Sequence, residues 1–195
     1  WTLNGVLVTY LVDKGFFNWS VVEVGWLLGI PILSGSIFRL PIGILTDKYG
    51  GKIIFSMLLM LCSIPLFLLP YANSFWSFAV LSFLFGLVGT SFAVGIGYTS
   101  VWYPQNWQGR ALGIFGMGNA GAALTTFVAP TLLNRFSQSD PENGWKMLPI
   151  TYALVLVAMG FLFILFAKNK KPLGDSKDIK TLLTPLKKVR VWRFG

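Results

Sequence analysis

Residues 24–52 read VGWLLGIPILSGSIFRLPIGILTDKYGGK, and this stretch decides the fold. Its first 22 residues, 24–45, are apolar apart from small residues and Arg39. Roughly 20 such residues are needed to cross about 30 Å of hydrocarbon as a helix. The run is too long for a strand and lacks alternation of period two. The last seven residues, 46–52, are polar and glycine-rich. One membrane span ends there, and a short loop follows.

The same alternation recurs along the chain. Apolar spans cover 53–71, 75–103, 111–133 and 148–167, and residues 1–12 form a shorter apolar stub. Pro31, Pro41 and Pro65 lie within spans. The connections are short, which makes consecutive helices antiparallel neighbours. The expected fold is an all-α membrane protein, a six-helix bundle whose first helix is truncated. The chain starts at Trp1 in apolar sequence and stops at Gly195, and both ends read as cuts. Two regions are expected: a helix bundle over 1–168 and a basic linker over 169–195.

Composition supports lipid as the solvent. The 195 residues are 54% hydrophobic and only 12% charged, against about 25% charged in soluble domains. There is no His and a single Cys, Cys62. A disulfide framework and an ordinary His/Cys metal site are therefore excluded within this sequence. The usual general base is missing as well, which argues against an enzyme. No cofactor or metal is expected.

The net charge of +9 does not point to nucleic acid. Nine of the sixteen Lys and Arg lie from Lys168 onward, after the last span. Such a tail reads as a cytoplasmic flank on an anionic leaflet. One set of loops holds Lys48, Lys52, Arg110 and those nine residues; the opposite set holds Lys14, Arg135 and Lys146. The imbalance puts the first set in the cytoplasm and implies a multi-pass protein of the cell (inner) membrane. Trp26, Tyr71, Trp76, Trp102, Tyr103 and Trp145 fall near span ends, as interfacial anchors do.

Arg39 is the one charge inside these spans. It lies six residues, or roughly 9 Å, from the cytoplasmic limit at Leu45. A central Arg costs about 2.5–3.5 kcal/mol on insertion scales, and such residues mark substrate or ion paths. Its helical neighbours are Gly35, Ser36 and Gly43, a small and polar face. The alternative is an Arg snorkelling to the cytoplasmic surface. No carboxylate lies in the full spans to neutralise it or to relay protons, which favours anion exchange over proton symport.

Residues 113–121, GIFGMGNAG, hold four Gly and Asn119. Gly116/Ala120 and Gly118/Ala122 are small-xxx-small pairs that permit close helix packing. Asn119 suits either an interhelical hydrogen bond or a ligand contact. Phe92 has small neighbours, Ser91 and Ala93. It suits either stacking on a planar ligand or ordinary packing. The loop 43–52, GILTDKYGGK, reads from its residues alone as a tight, positively charged turn.

That loop also resembles the signature G-x-L-A-D-R-x-G-R-K of the major facilitator superfamily, which follows the second helix. Gly43, Asp47, Lys48, Gly50 and Lys52 carry the likeness, with Leu45; Thr46 and Gly51 depart from it. By this resemblance the loop is a conformational switch. Residues 31–43 resemble the second helix of the nitrate/nitrite porter family. Residues 113–121 resemble its glycine-rich signature, and the run from Ser91 to Pro104 its fourth helix. The resemblance implies that Arg39 binds nitrate or nitrite, that Asn119, Gly116 and Gly118 border the site, and that Phe92 stacks on the anion. It implies transport by alternating access together with a C-terminal six-helix half that carries a second Arg. A major facilitator carrying another small anion or organic acid is the alternative.

Overall fold

The apolar runs fold as helices that reach beyond their apolar limits. The computed structural model describes residues 2–170. Among these residues there are nine α-helices: α1 (Thr2–Asp13), α2 (Val21–Ile37), α3 (Arg39–Tyr49), α4 (Gly51–Leu68), α5 (Phe75–Gly86), α6 (Ser91–Trp102), α7 (Gln105–Gly116), α8 (Ala120–Ser139) and α9 (Met147–Phe166). They align into five rods long and apolar enough to cross a membrane: Val21–Tyr49, Gly51–Tyr71, Phe75–Trp102, Gln105–Ser139 and Gly144–Phe166. The first rod starts at a capping box. Ser20 accepts from the Glu23 N–H, and the Glu23 carboxylate accepts from the Ser20 N–H and hydroxyl.

Helix α1 forms much of the centre. Leu7, Val8 and Leu11 are fully buried, against α2 on one side and α8 on the other. Lipid tails are as apolar as Leu, so these contacts act through close packing rather than through escape from water. Other packed pairs include α2 with α5, α4 with α9, α4 with α5, α3 with α6, α4 with α6 and α6 with α7. Gly86 lets α5 press against the backbone of Pro31, whose Cα and carbonyl occupy the space a Cβ would need. Phe127 (77% exposed) and Phe166 (81% exposed) face outward, as hydrocarbon permits.

At the end of the bundle opposite the 43–52 loop, aromatic rings close the connections. Phe17 stacks on Trp19 at 4.6 Å, and both meet Phe78 edge-on. Trp145 joins this cluster and is only 4% exposed. It is thus a core residue rather than the interfacial anchor its position near a span end indicated. Trp26, Tyr71 and Trp76 are exposed, as anchors are. The linker expected over 169–195 lies, beyond Lys170, outside the described residues.

Three of the five rods change their winding near their middles, with the backbone staying in the right-handed helical region. Phe38 separates α2 from α3. A 3-10 turn, Leu87–Thr90, separates α5 from α6. Another, Met117–Asn119, separates α7 from α8. Each interruption is followed or occupied by a residue singled out in the sequence.

Candidate functional site

Arg39 is the first residue of α3, directly after the break at Phe38. The helix runs on to Tyr49, so Arg39 lies ten residues, or roughly 15 Å, from the C-terminal end of α3. The helix thus runs four residues past the apolar limit at Leu45, through Thr46–Tyr49. The extension is possible because Thr46 turns its hydroxyl back to the Ile42 carbonyl, 2.8 Å away, and so needs no water. Arg39 is exposed, and among the described residues its guanidinium makes no hydrogen bond and no ion pair. An uncompensated guanidinium at that depth has its fork of donors free for an anion.

Phe92 is the second residue of α6 and lies ten residues, again roughly 15 Å, from Trp102 at the same end. Its ring is 39% exposed. It sits 5.6 Å from the ring of Phe115, tilted by 39°. Phe115 in turn seats its ring edge in the notch left by Gly95, where a Cβ would collide with it. This contact joins the fourth span to the glycine-rich stretch, because Phe115 immediately precedes Gly116.

Gly116 ends α7, and Gly118 and Asn119 lie in the 3-10 turn that follows. Gly118 and Asn119 are exposed, and Gly116 is half-buried. Nothing lies within 4 Å of a Cβ built at Gly113, Gly116, Gly118 or Gly121. The small-xxx-small pairs therefore do not pack against another helix among the described residues. Among the described residues the glycine face is open. Asn119 likewise makes no hydrogen bond among the described residues, so interhelical pairing does not hold it.

The three interruptions thus bring Arg39 and Phe92 onto two contacting helices, α3 and α6, at equal depth. Phe92 is linked to the glycine stretch through Phe115. No hydrogen bond joins Arg39 to Asn119 among the described residues. A groove of about 650 Å³ lies elsewhere, lined by residues of α6 and α7 and by Phe166–Lys168 at the end of α9. None of Arg39, Phe92 or Asn119 lines it.

The 43–52 loop is built differently from a plain turn. Gly50 has φ +93°, a backbone conformation that disfavours side chains. The side chain of Asn169 fills the space beside it and donates to the Tyr49 carbonyl at 3.1 Å. Tyr98 lies over Gly51, and its hydroxyl donates to the Lys168 carbonyl at 3.0 Å. Lys48 reaches over the Tyr49 ring at 5.3 Å. Gly43 is half-buried with open space around it, Asp47 is exposed and Lys52 is half-buried. Tyr98 and Asn169 carried no signal in the sequence, since their partners are backbone carbonyls far along the chain.

Five long apolar rods, with an Arg inside one of them that makes no ion pair among the described residues, define a multi-pass α-helical membrane protein. The profile of the Major Facilitator Superfamily matches residues 1–194. The chain belongs to the Major Facilitator Superfamily. It is 40% identical over 202 residues to the "Probable nitrate/nitrite antiporter NarK1" of Thermus thermophilus, covering 100% of this chain and 45% of that protein. It is 31% identical over 166 residues to the "Nitrite extrusion protein" of Bacillus subtilis, covering 85% of this chain and 40% of the relative. The "Probable nitrate transporter NarT" of Staphylococcus carnosus is 29% identical over 188 residues, with 88% and 45% covered. The chain therefore spans less than half the length of these relatives. No solved structure matches it.

Proposed function

We propose that the full-length protein carries nitrate, nitrite or both across the cell membrane by alternating access, and that Arg39 holds the anion. The observation that carries this reading is the guanidinium of Arg39, inside an apolar rod and without a hydrogen-bond or ion-pair partner among the described residues. Midplane sites built from interrupted helices are characteristic of such transporters. A planar guanidinium matches a planar oxyanion through paired N–H donors. Phe92 provides an aromatic face at the same depth, and Gly116, Gly118 and Asn119 provide an open, small-residue wall. The names of the three relatives agree on nitrate or nitrite as the cargo.

The site is completed by a C-terminal half with six further helices, and the basic residues after α9 lie in the cytoplasm. Exchange of one anion for another fits a site with a cation and no carboxylate partner. The test is Arg39→Lys in the full-length protein, which keeps the charge and removes the planar fork. Labelled nitrate uptake is expected to vanish while membrane expression stays at the wild-type level. Wild-type uptake by that variant overturns the role of Arg39. Competition of uptake by other small anions and by organic acids separates nitrate from those cargoes.

A further inference from the structure

Pro31 lies inside α2 and has no N–H. The carbonyl of Leu27, four residues earlier, therefore lacks its helical donor. No water is present in hydrocarbon to replace that donor. The amide of Asn4 on α1 supplies the bond, with Nδ2 2.8 Å from the Leu27 oxygen. Asn4 is 4% exposed, and Leu27 is fully buried. The amide oxygen of Asn4 accepts in turn from Ser82 Oγ on α5 at 3.1 Å. Gly86, one turn beyond Ser82, brings α5 directly onto Pro31. Two helices, α1 and α5, thus converge on the Pro31 turn of α2.

Arg39 follows Pro31 by eight residues, roughly 12 Å along the rod. A change of direction of about 10° at Pro31 carries Arg39 sideways by roughly 2 Å. Misplacement of about 1 Å is enough to impair a positioned group severely. We propose that Asn4 is a positioning residue: by bonding the carbonyl that Pro31 leaves free, it fixes the line of α2 and so the place of Arg39. Asn4 itself does not touch the anion. This role presupposes that Arg39 binds the anion, as proposed above.

A cycle of variants in the full-length protein tests it: Asn4→Ala, Pro31→Ala, and both together. Pro31→Ala returns an N–H to position 31, so the Leu27 carbonyl regains a helical donor and no longer needs Asn4. Two readouts are taken. The first is the distance between spin labels at Val21→Cys and Tyr49→Cys in a Cys62→Ser background, measured by pulsed electron resonance. The second is the KM and kcat of nitrate uptake. Asn4→Ala alone is expected to shift or broaden the distance distribution and to raise KM about fivefold or more, with kcat within about twofold. In the Pro31→Ala background the same substitution is expected to change either readout by less than about twofold. Ser82→Ala loosens Asn4 without removing it, keeps the test open if Asn4→Ala expresses poorly, and should give the same shifts in smaller measure.

Wild-type distances and KM in Asn4→Ala, or equal effects in both backgrounds, overturn the proposal. A lower melting temperature with unchanged KM does so too, because it leaves Asn4 a merely structural role. If the wild-type protein takes up no nitrate, the cargo assignment falls instead. The distance cycle then decides alone whether Asn4 sets the line of α2.

Discussion

The glycines of residues 113–121 divide two roles that look alike in a sequence. Gly introduced for close packing has a neighbour where its Cβ would be, as Gly86 has at Pro31. Gly116 and Gly118 have open space there. Gly116→Ala and Gly118→Ala should therefore leave the melting temperature unchanged or slightly higher, because Ala is favoured over Gly in a helix by about 1 kcal/mol. The same variants are expected to reduce nitrate uptake by about tenfold or more, since the added methyl projects into the space assigned to the anion. Thermal unfolding in detergent and uptake in vesicles measure the two effects separately. Unimpaired uptake would remove this face from the site.

At the scale of elements, the junction between α3 and α4 couples local backbone strain to a distant segment. Gly50 adopts φ +93° with Asn169 against it. Gly50→Ala should destabilise the protein by about 1–3 kcal/mol from backbone strain alone, and the collision with Asn169 adds to that. Asn169→Ala removes the collision and leaves the strain. The double variant is expected to be more stable than Gly50→Ala, although Asn169→Ala alone loses the bond to the Tyr49 carbonyl. Denaturant unfolding of the four proteins measures this reversal of sign, and additive losses contradict the contact.

Most of the helical layout was legible in the sequence because hydropathy reports span length directly. The limits were less legible. Thr46–Tyr49 look like loop by polarity, yet they extend α3, because a hydroxyl can return its bond to the preceding turn and an end facing water tolerates charge. The break at Phe38 has its local marker in Pro41, whose missing N–H leaves the Ile37 carbonyl, four residues earlier, without a helical donor. The break at Met117–Asn119 was half visible in its glycines, but their openness was not, because packing partners lie far along the chain. Asn4 was visible only as a polar residue in an apolar run. Its meaning emerges once Pro31 and Leu27 are placed beside it.

For the molecule as a whole, the distribution of charge fixes a direction that the fold alone leaves open. Lys48, Lys52, Arg110, Lys168 and Lys170 belong to one end, and Lys14, Arg135 and Lys146 to the other. The structure draws Tyr49, Gly51, Tyr98, Lys168 and Asn169 together at the first end. The second end is closed by Phe17, Trp19, Phe78 and Trp145. Basic residues are retained on the cytoplasmic side during insertion, so the clamped glycine loop should face the cytoplasm. Single cysteines placed at Lys14, Lys48, Arg110 and Lys146 in a Cys62→Ser background decide the matter. A membrane-impermeant maleimide added to intact cells is expected to label positions 14 and 146 and to spare 48 and 110 until the membrane is opened. The reverse pattern would turn the bundle over. Arg39 would then lie roughly 15 Å from the outer face, and the switch role of the 43–52 loop would have to be played outside the cell.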